Sequence, residues 1–203
     1  MPTLSLEADP QRTDAHYDEF YRDGGWRYSF WREYLWHRRH VVKRFGLRRG
    51  NRILEAACGN GYHTNLLRLM GFDCVGVDRS RVGIAWAREH FPRCVYHCGD
   101  ITGELPLDPR SFDAVLARGC SHYHYDLMSR QALTTTKRLM EYIKPGGVFI
   151  IVIVTDLSGR REPEKIWQNT LDDYKRHLSS FGARWSLTWV NGTAICGLRS
   201  EAD

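Results

Sequence analysis

The chain has 203 residues, 42% hydrophobic, 12% aromatic and 26% charged, proportions that fit one folded domain and exclude disordered, collagen-like and fibrous classes. The formal net charge is +5, a modest excess that alone identifies no anionic partner. The longest apolar run, Val148 to Val154, is far short of the roughly 18 residues a membrane helix needs.

The first ten residues carry acids and prolines where a signal peptide would be basic and then apolar, so a cytoplasmic location is expected, with residues 1–13 flexible. Residues 14–47 are expected as one or two helices forming a cap or lid, within a domain spanning 14–200. Tyr17, Tyr21, Trp26, Tyr28, Trp31 and Trp36 crowd this segment. It serves either as a lid over a ligand or as a plug for a bare sheet face, and both uses stay open. From Arg27 to Arg49 there are eight basic residues and one acid, Glu33; a solvated helix face outweighs a nucleic-acid footprint there.

Alternation of strand and helix begins near residue 50. Arg52 to Ala57 reads as a strand, Tyr62 to Met70 as a helix closed by Gly71, Cys74 to Val77 as a strand, and Val82 to His90 as a helix stopped by Pro92. Cys94 to Cys98 and Phe112 to Ala117 are strands three and four, and the segment between them, with two prolines, is too broken for a full helix. Ser129 to Ile143 is predicted helical, and Lys144-Pro145-Gly146-Gly147 turns it into the buried strand Val148 to Val154. A helix is predicted over Glu164 to Ser179, then a hairpin of Trp185 to Val190 and Ala194 to Leu198 around Asn191-Gly192. This pattern predicts a doubly wound α/β domain with a mainly parallel sheet and an antiparallel closing hairpin.

Ligands of such sheets sit beyond the carboxyl ends of the strands, commonly at the first turn. Here that turn is Glu55-Ala56-Ala57-Cys58-Gly59-Asn60-Gly61. A dinucleotide fingerprint counted from Gly59 needs a glycine at 64, where Thr64 stands, and a carboxylate at Glu55 would repel a pyrophosphate. An ammonium or sulfonium ligand suits Glu55 better. Asp78 ends strand two at close to the spacing of a ribose-binding acid, and Asp100 with Ile101 follows strand three, suited to frame an adenine. Each acid alone reads more simply as a cap or turn residue; together they point to a nucleoside with an amine part and no phosphate.

These residues resemble the class I S-adenosylmethionine-dependent methyltransferases. The resemblance covers about residues 50 to 200 and rests on the Glu55 to Gly61 turn, Asp78, Asp100-Ile101, Phe112-Asp113-Ala114-Val115, Lys144-Pro145-Gly146-Gly147 and the closing hairpin. It implies a Rossmann-like seven-stranded mixed sheet of order 3-2-1-4-5-7-6, S-adenosyl-L-methionine as donor and S-adenosyl-L-homocysteine as product. It also implies donor contacts from Tyr17, Tyr21, Glu55, Ala56, Cys58, Gly59, Gly61, Asp78, Arg79, Asp100, Ile101 and Arg118. Cys58 and Asn60 depart from the small or hydroxyl residues usual in that turn.

A sulfonium methyl is already an activated electrophile, so the acceptor mainly needs positioning and, for a hydroxyl or protonated amine, a base. His122 and His124, after strand four, are the candidate bases, with ordinary hydrogen-bonding roles as the bland alternative; His63 competes as a residue on the donor side. Trp26, Tyr28 and Trp31 are candidate acceptor contacts, favouring a flat or cationic acceptor where the arginines favour an anionic one. The Asn- or Asp-Pro-Pro-aromatic pattern of enzymes methylating exocyclic base amines is missing at Arg118-Gly119-Cys120-Ser121. A small molecule methylated at oxygen or nitrogen is therefore the expected acceptor. An RNA or protein methyltransferase, a non-catalytic donor-binding partner and a nicotinamide oxidoreductase are the rivals. The six cysteines are expected as free thiols. No metal site is expected, since Cys94, His97 and Cys98 lack a second ligand pair. The oligomeric state is not encoded in any motif.

Overall fold

The computed structural model describes residues 14–23, 25–162 and 165–201; the segment expected to be flexible, 1–13, lies outside them. Seven strands form one sheet in the order β3-β2-β1-β4-β5-β7-β6. They are β1 (Arg52–Ala56), β2 (Asp73–Asp78), β3 (Val95–Cys98), β4 (Phe112–Arg118), β5 (Ile143–Val154), β6 (Arg184–Val190) and β7 (Thr193–Arg199). The first five are parallel, and β7 runs antiparallel between β5 and β6. Both residues of the Asn191-Gly192 turn have positive φ, 46° and 76°, the geometry that lets a two-residue loop match strand twist.

The pleat divides the sheet into two apolar faces. Leu54, Val75, Val115, Phe149 and Ile151 face one layer. It contains α6 (Arg130–Met140) and α7 (Leu171–Ser179), which contribute Leu139, Tyr174 and Leu178, while Ile101 and Leu105 from the broken segment after β3 complete the cover. Ile53, Cys74, Leu116, Ile150 and Val152 face the other layer. There α4 (Tyr62–Leu69) contributes Leu66 and Leu67, and α2 (Phe30–His37) runs through a π-helical turn (Arg38–Val42) into α3 (Lys43–Phe45), which brings Val41 and Phe45. The N-terminal segment thus does not plug the face left without a helix between β3 and β4; loop residues and α6 and α7 do that. Trp26 and Trp31 are not core residues either, at 57% and 70% exposed, while Trp36 is half-buried against the second layer.

Two boundaries differ from the sequence reading. The last helix begins at Leu171 rather than Glu164, because Thr170 and Asp173 form a reciprocal capping box. Upstream, Trp167 and Gln168 donate their amides to the carbonyls of His124 and Arg160, which pins this stretch outside any helix. The Lys144–Gly147 turn lies within β5 as a bulge: Ile143 pairs with Phe112, and pairing resumes at Val148 with Ala114. Lys144 Nζ reaches Asp113 Oδ2 at 3.0 Å, and a side chain at Gly147 would collide with Ile143 and the Asp113 carbonyl. Among the described residues, no helix is long and apolar enough to cross a membrane.

Candidate functional site

At the carboxyl ends of β1 to β4 the strands open into a cavity beneath α1 (Asp14–Arg22). Its floor comes from Ala57, Asp78, Arg79, Asp100 and Ile101; Cys120, His122 and His124 form one wall; Tyr17, Tyr21 and Trp26 form the roof. The chain thereby brings together most of the side chains singled out from sequence, at the switch point where doubly wound sheets bind ligands.

The turn after β1 is built to approach a ligand closely. Ala57 takes φ +60°, a left-handed conformation rare for a residue with a Cβ, and Gly59 and Gly61 follow at +56° and +72°. Asp78 holds this turn in place: Oδ2 accepts the Gly59 amide at 2.8 Å and Oδ1 the Ser80 amide at 2.9 Å. Burial pushes the Asp78 carboxyl up, and those two amide bonds oppose the shift. Asp100 is held below the usual carboxylate range: burial would raise it, but the Thr102 amide and hydroxyl, both on Oδ1, and Arg79 outweigh that. Its Oδ2 keeps acceptor capacity for a ligand amine.

Tyr21 lies directly on the turn, since a side chain at Gly59 would overlap its hydroxyl, and its ring also packs on Gly83 of α5 (Arg81–His90). Burial raises the Tyr21 hydroxyl well above its ordinary pKa, so it stays protonated. α1 is fastened there by Asp18, whose Oδ1 accepts the Ser80 hydroxyl at 2.6 Å and the Val82 amide at 3.1 Å at the start of α5. Burial holds the His122 imidazole below its ordinary pKa, partly offset by Asp100, and its Nδ1 is 3.1 Å from the Thr135 hydroxyl. The ring is therefore neutral near pH 7.

Several residues named from sequence lie elsewhere. Glu55 sits behind the turn, 3% exposed, accepting the Thr64 hydroxyl; burial raises its carboxyl to about 7. Ala56 and Cys58 are buried beneath the turn, and Gly61 is packed against Tyr96 and Ala87. Trp31 points into solvent, with its ring against Phe30 and Tyr34, because the face of α2 that packs on the sheet side carries Glu33 and His37 instead. Tyr28 packs on Tyr62 and His63, away from the cavity lining. Arg118 turns to the α2–α4 side, where its Nη2 donates to Glu33 Oε2 at 2.9 Å.

That last contact belongs to a second polar centre that the sequence reading missed. Glu33, His37 and His63 are all buried; Glu33 Oε2 lies 3.3 Å from His63 Nε2, and the two imidazole centroids are 4.9 Å apart. Arg118 lies over the faces of Tyr28 and Trp36. The only signal for it was Glu33 four residues before His37, an acid alone in a basic run.

Residues 53–147 match the family described as a methyltransferase domain. Over this segment, just under half of the chain, it is similar to the S-adenosylmethionine-dependent methyltransferases. A probable S-adenosylmethionine-dependent methyltransferase of Mycolicibacterium smegmatis is 32% identical over 137 residues, 64% of this chain and 51% of the relative. A demethylmenaquinone methyltransferase of Beutenbergia cavernae is 28% identical over 74% of this chain and 61% of its own length. The chain therefore spans about half to three-fifths of these two relatives. Among solved structures, a phosphoethanolamine N-methyltransferase of Haemonchus contortus in complex with S-adenosyl-L-methionine superposes with a TM-score of 0.64 at 22% identity, covering 88% of this chain and 44% of that one. An S-adenosylmethionine-dependent methyltransferase fold from Methanococcus maripaludis gives 0.66 at 15% identity, covering 94% of both chains. The cavity lies at the carboxyl ends of the strands, and Asp78, Asp100 and Ile101, singled out from sequence, are part of its floor.

Proposed function

We propose that the chain transfers a methyl group from S-adenosylmethionine to an oxygen or nitrogen of a small-molecule acceptor, releasing S-adenosylhomocysteine. One observation carries this reading: the acids at the ends of β2 and β3, the left-handed turn after β1 and a neutral histidine after β4 meet in one cavity closed by an aromatic helix. The residues fit the donor. Asp78 accepts one backbone amide on each oxygen, which leaves lone pairs for ribose hydroxyls. Asp100 Oδ2 and Ile101 suit an adenine amine and ring, and Arg79 flanks them.

When bound, the donor supplies an electrophilic sulfonium methyl. The chain supplies position, charge and a proton acceptor. Glu55 behind the turn, with Ala56, Cys58, Gly59 and Gly61 shaping it, favours the donor's cationic end through a poorly screened interior. Tyr17 and Tyr21 exclude water from above. His122, its Nδ1 occupied by Thr135, takes the acceptor's proton on Nε2, with His124 as the second candidate. Trp26 lines the cavity and contacts the acceptor; Tyr28 and Trp31 sit outside it and carry no acceptor contact in this reading, while Arg118 acts on the donor side only through Glu55. Residues 14–200 form one catalytic domain with 14–47 as its cap, and six free cysteines suit a reducing cytoplasm. The relative whose name specifies demethylmenaquinone supports a small organic acceptor.

Incubation with methyl-labelled donor and a panel of hydroxyl, carboxyl and amine acceptors tests this. Label appearing in a small acceptor with one equivalent of S-adenosylhomocysteine is the expected result. Tight donor binding with no turnover would make the chain a donor-binding partner, and salt-sensitive labelling of RNA would reassign the acceptor.

A further inference from the structure

We propose a divalent transition-metal site, of the kind that takes Zn²⁺, formed by the Glu33 carboxylate, His37 Nε2 and His63 Nε2 where α2 meets α4 and the end of β4. It stands apart from methyl transfer and departs from the expectation of no metal. One nitrogen of each imidazole and a Glu33 oxygen lie within 4.8 Å of one another, and all three residues are buried. Two imidazoles and one carboxylate form a donor set that zinc commonly uses, leaving a fourth position for water.

The decisive feature is the hydrogen bonding of His37. Its Nδ1 is 2.8 Å from the Glu33 carbonyl, which can only accept, so Nδ1 carries the proton. In the neutral ring Nε2 then bears a lone pair, and it is buried with no hydrogen-bond partner among the described residues. An orphaned buried acceptor is costly, and an Nδ1–H bond to a backbone carbonyl is the arrangement that orients a histidine to bind metal through Nε2. The 3.3 Å between Glu33 Oε2 and His63 Nε2 is also a close match to the edge of a tetrahedron with bonds of about 2.0 to 2.1 Å.

Arg118 is the evident objection, because its guanidinium donates to Glu33 Oε2. It faces two carboxylates, however, Glu33 and Glu55, and the other partners are neutral imidazoles. The Glu33–Arg118 pair is neutral, and Glu55, whose carboxyl burial raises to about 7, adds the negative charge that offsets part of a divalent ion as it ionises. Arg118 then acts as an outer donor to the ligating carboxylate, the usual place for such a partner.

The test uses the full chain, stripped with chelator and reloaded. Co²⁺ should give the visible absorption of a tetrahedral site, and Zn²⁺ should remain at one equivalent per chain after gel filtration. His37→Ala and His63→Gln should each weaken binding at least tenfold, as read by competition with a fluorescent chelator. Zn²⁺ should raise the melting temperature of the parent chain and leave that of His37→Ala unmoved. No retained metal in the parent chain overturns the site, a result that needs no variant to fold. Retention undiminished in both variants also overturns it and moves the ion to the Cys94–Cys98 segment.

Discussion

Asp78 joins the end of β2 to the turn after β1, so one carboxylate shapes the turn, and in the proposed reading its remaining lone pairs take the ribose. Removing it in Asp78→Ala deletes both amide acceptors and the ribose partner. With charged hydrogen bonds worth about 1.5–3 kcal/mol each, S-adenosylhomocysteine should bind about a hundredfold more weakly by calorimetry. Glu55 makes a prediction about stability. Its folded pKa, about 7, lies above the 4.5 of a free glutamate, so the folded state holds a proton that the unfolded state has released. That proton favours the fold at low pH, and the cost of ionising Glu55 grows as pH rises from 4.5 through 7, to about 3 kcal/mol. Glu55→Gln keeps an acceptor for Thr64 and cannot ionise. Its melting temperature should therefore fall less than that of the parent chain between pH 5 and pH 8. For His122 the sign is the opposite: burial lowers the pKa, so turnover at saturating donor should stay level near neutrality. It should decline only below the 6.5 of a free imidazole, and His122→Ala should lose that acid limb together with most of the rate.

At the scale of elements α1 combines aromatic cover of the cavity with a polar fastening through Asp18. α1 covers the cavity with Tyr17 and Tyr21, and Asp18 ties it to the body by accepting two hydrogen bonds at the start of α5. Loss of such a cap costs about 1 kcal/mol, so Asp18→Ala should raise the open population roughly fivefold, read as faster proteolysis between α1 and α2. Asp18 was invisible in the sequence because its partners, Ser80 and Val82, lie 62 and 64 residues away. The aromatic density of the same segment was legible, but its burial was not. Composition cannot say which helix face meets the sheet, and here Glu33 and His37 turn inward while Trp31 turns out. The late start of α7 escaped for a related reason: Lys165 to Thr170 has unremarkable local propensity, and contacts with His124 and Arg160 keep it from continuing the helix.

At the scale of the whole molecule, the doubly wound architecture and the ligand end of the sheet were legible from the alternation of strands and helices, whereas the order of the strands came only with the resemblance to the methyltransferase family. Short apolar runs between helical segments and an Asn-Gly hairpin mark the strands of the observed sheet. The strand-end acids were legible because each stands at a boundary that the pattern fixes. The Glu33–His37–His63 centre was not, since it forms only when α2 crosses α4. The donor reading has a global consequence. A ligand that binds the folded chain alone stabilises it by RT ln(1 + [L]/Kd), about 2.7 kcal/mol at a hundredfold excess over Kd. For a chain of this length each kcal/mol moves the melting temperature by about 2–4 °C, so saturating S-adenosylhomocysteine should raise it by about 5–10 °C. NAD at the same concentration should leave it unchanged, because Thr64 replaces the glycine a dinucleotide requires and Glu55 repels its pyrophosphate through the turn. A shift with NAD and none with S-adenosylhomocysteine would remove the donor from the site and, with it, the assignment of Asp78 and Asp100 as its ribose and adenine partners.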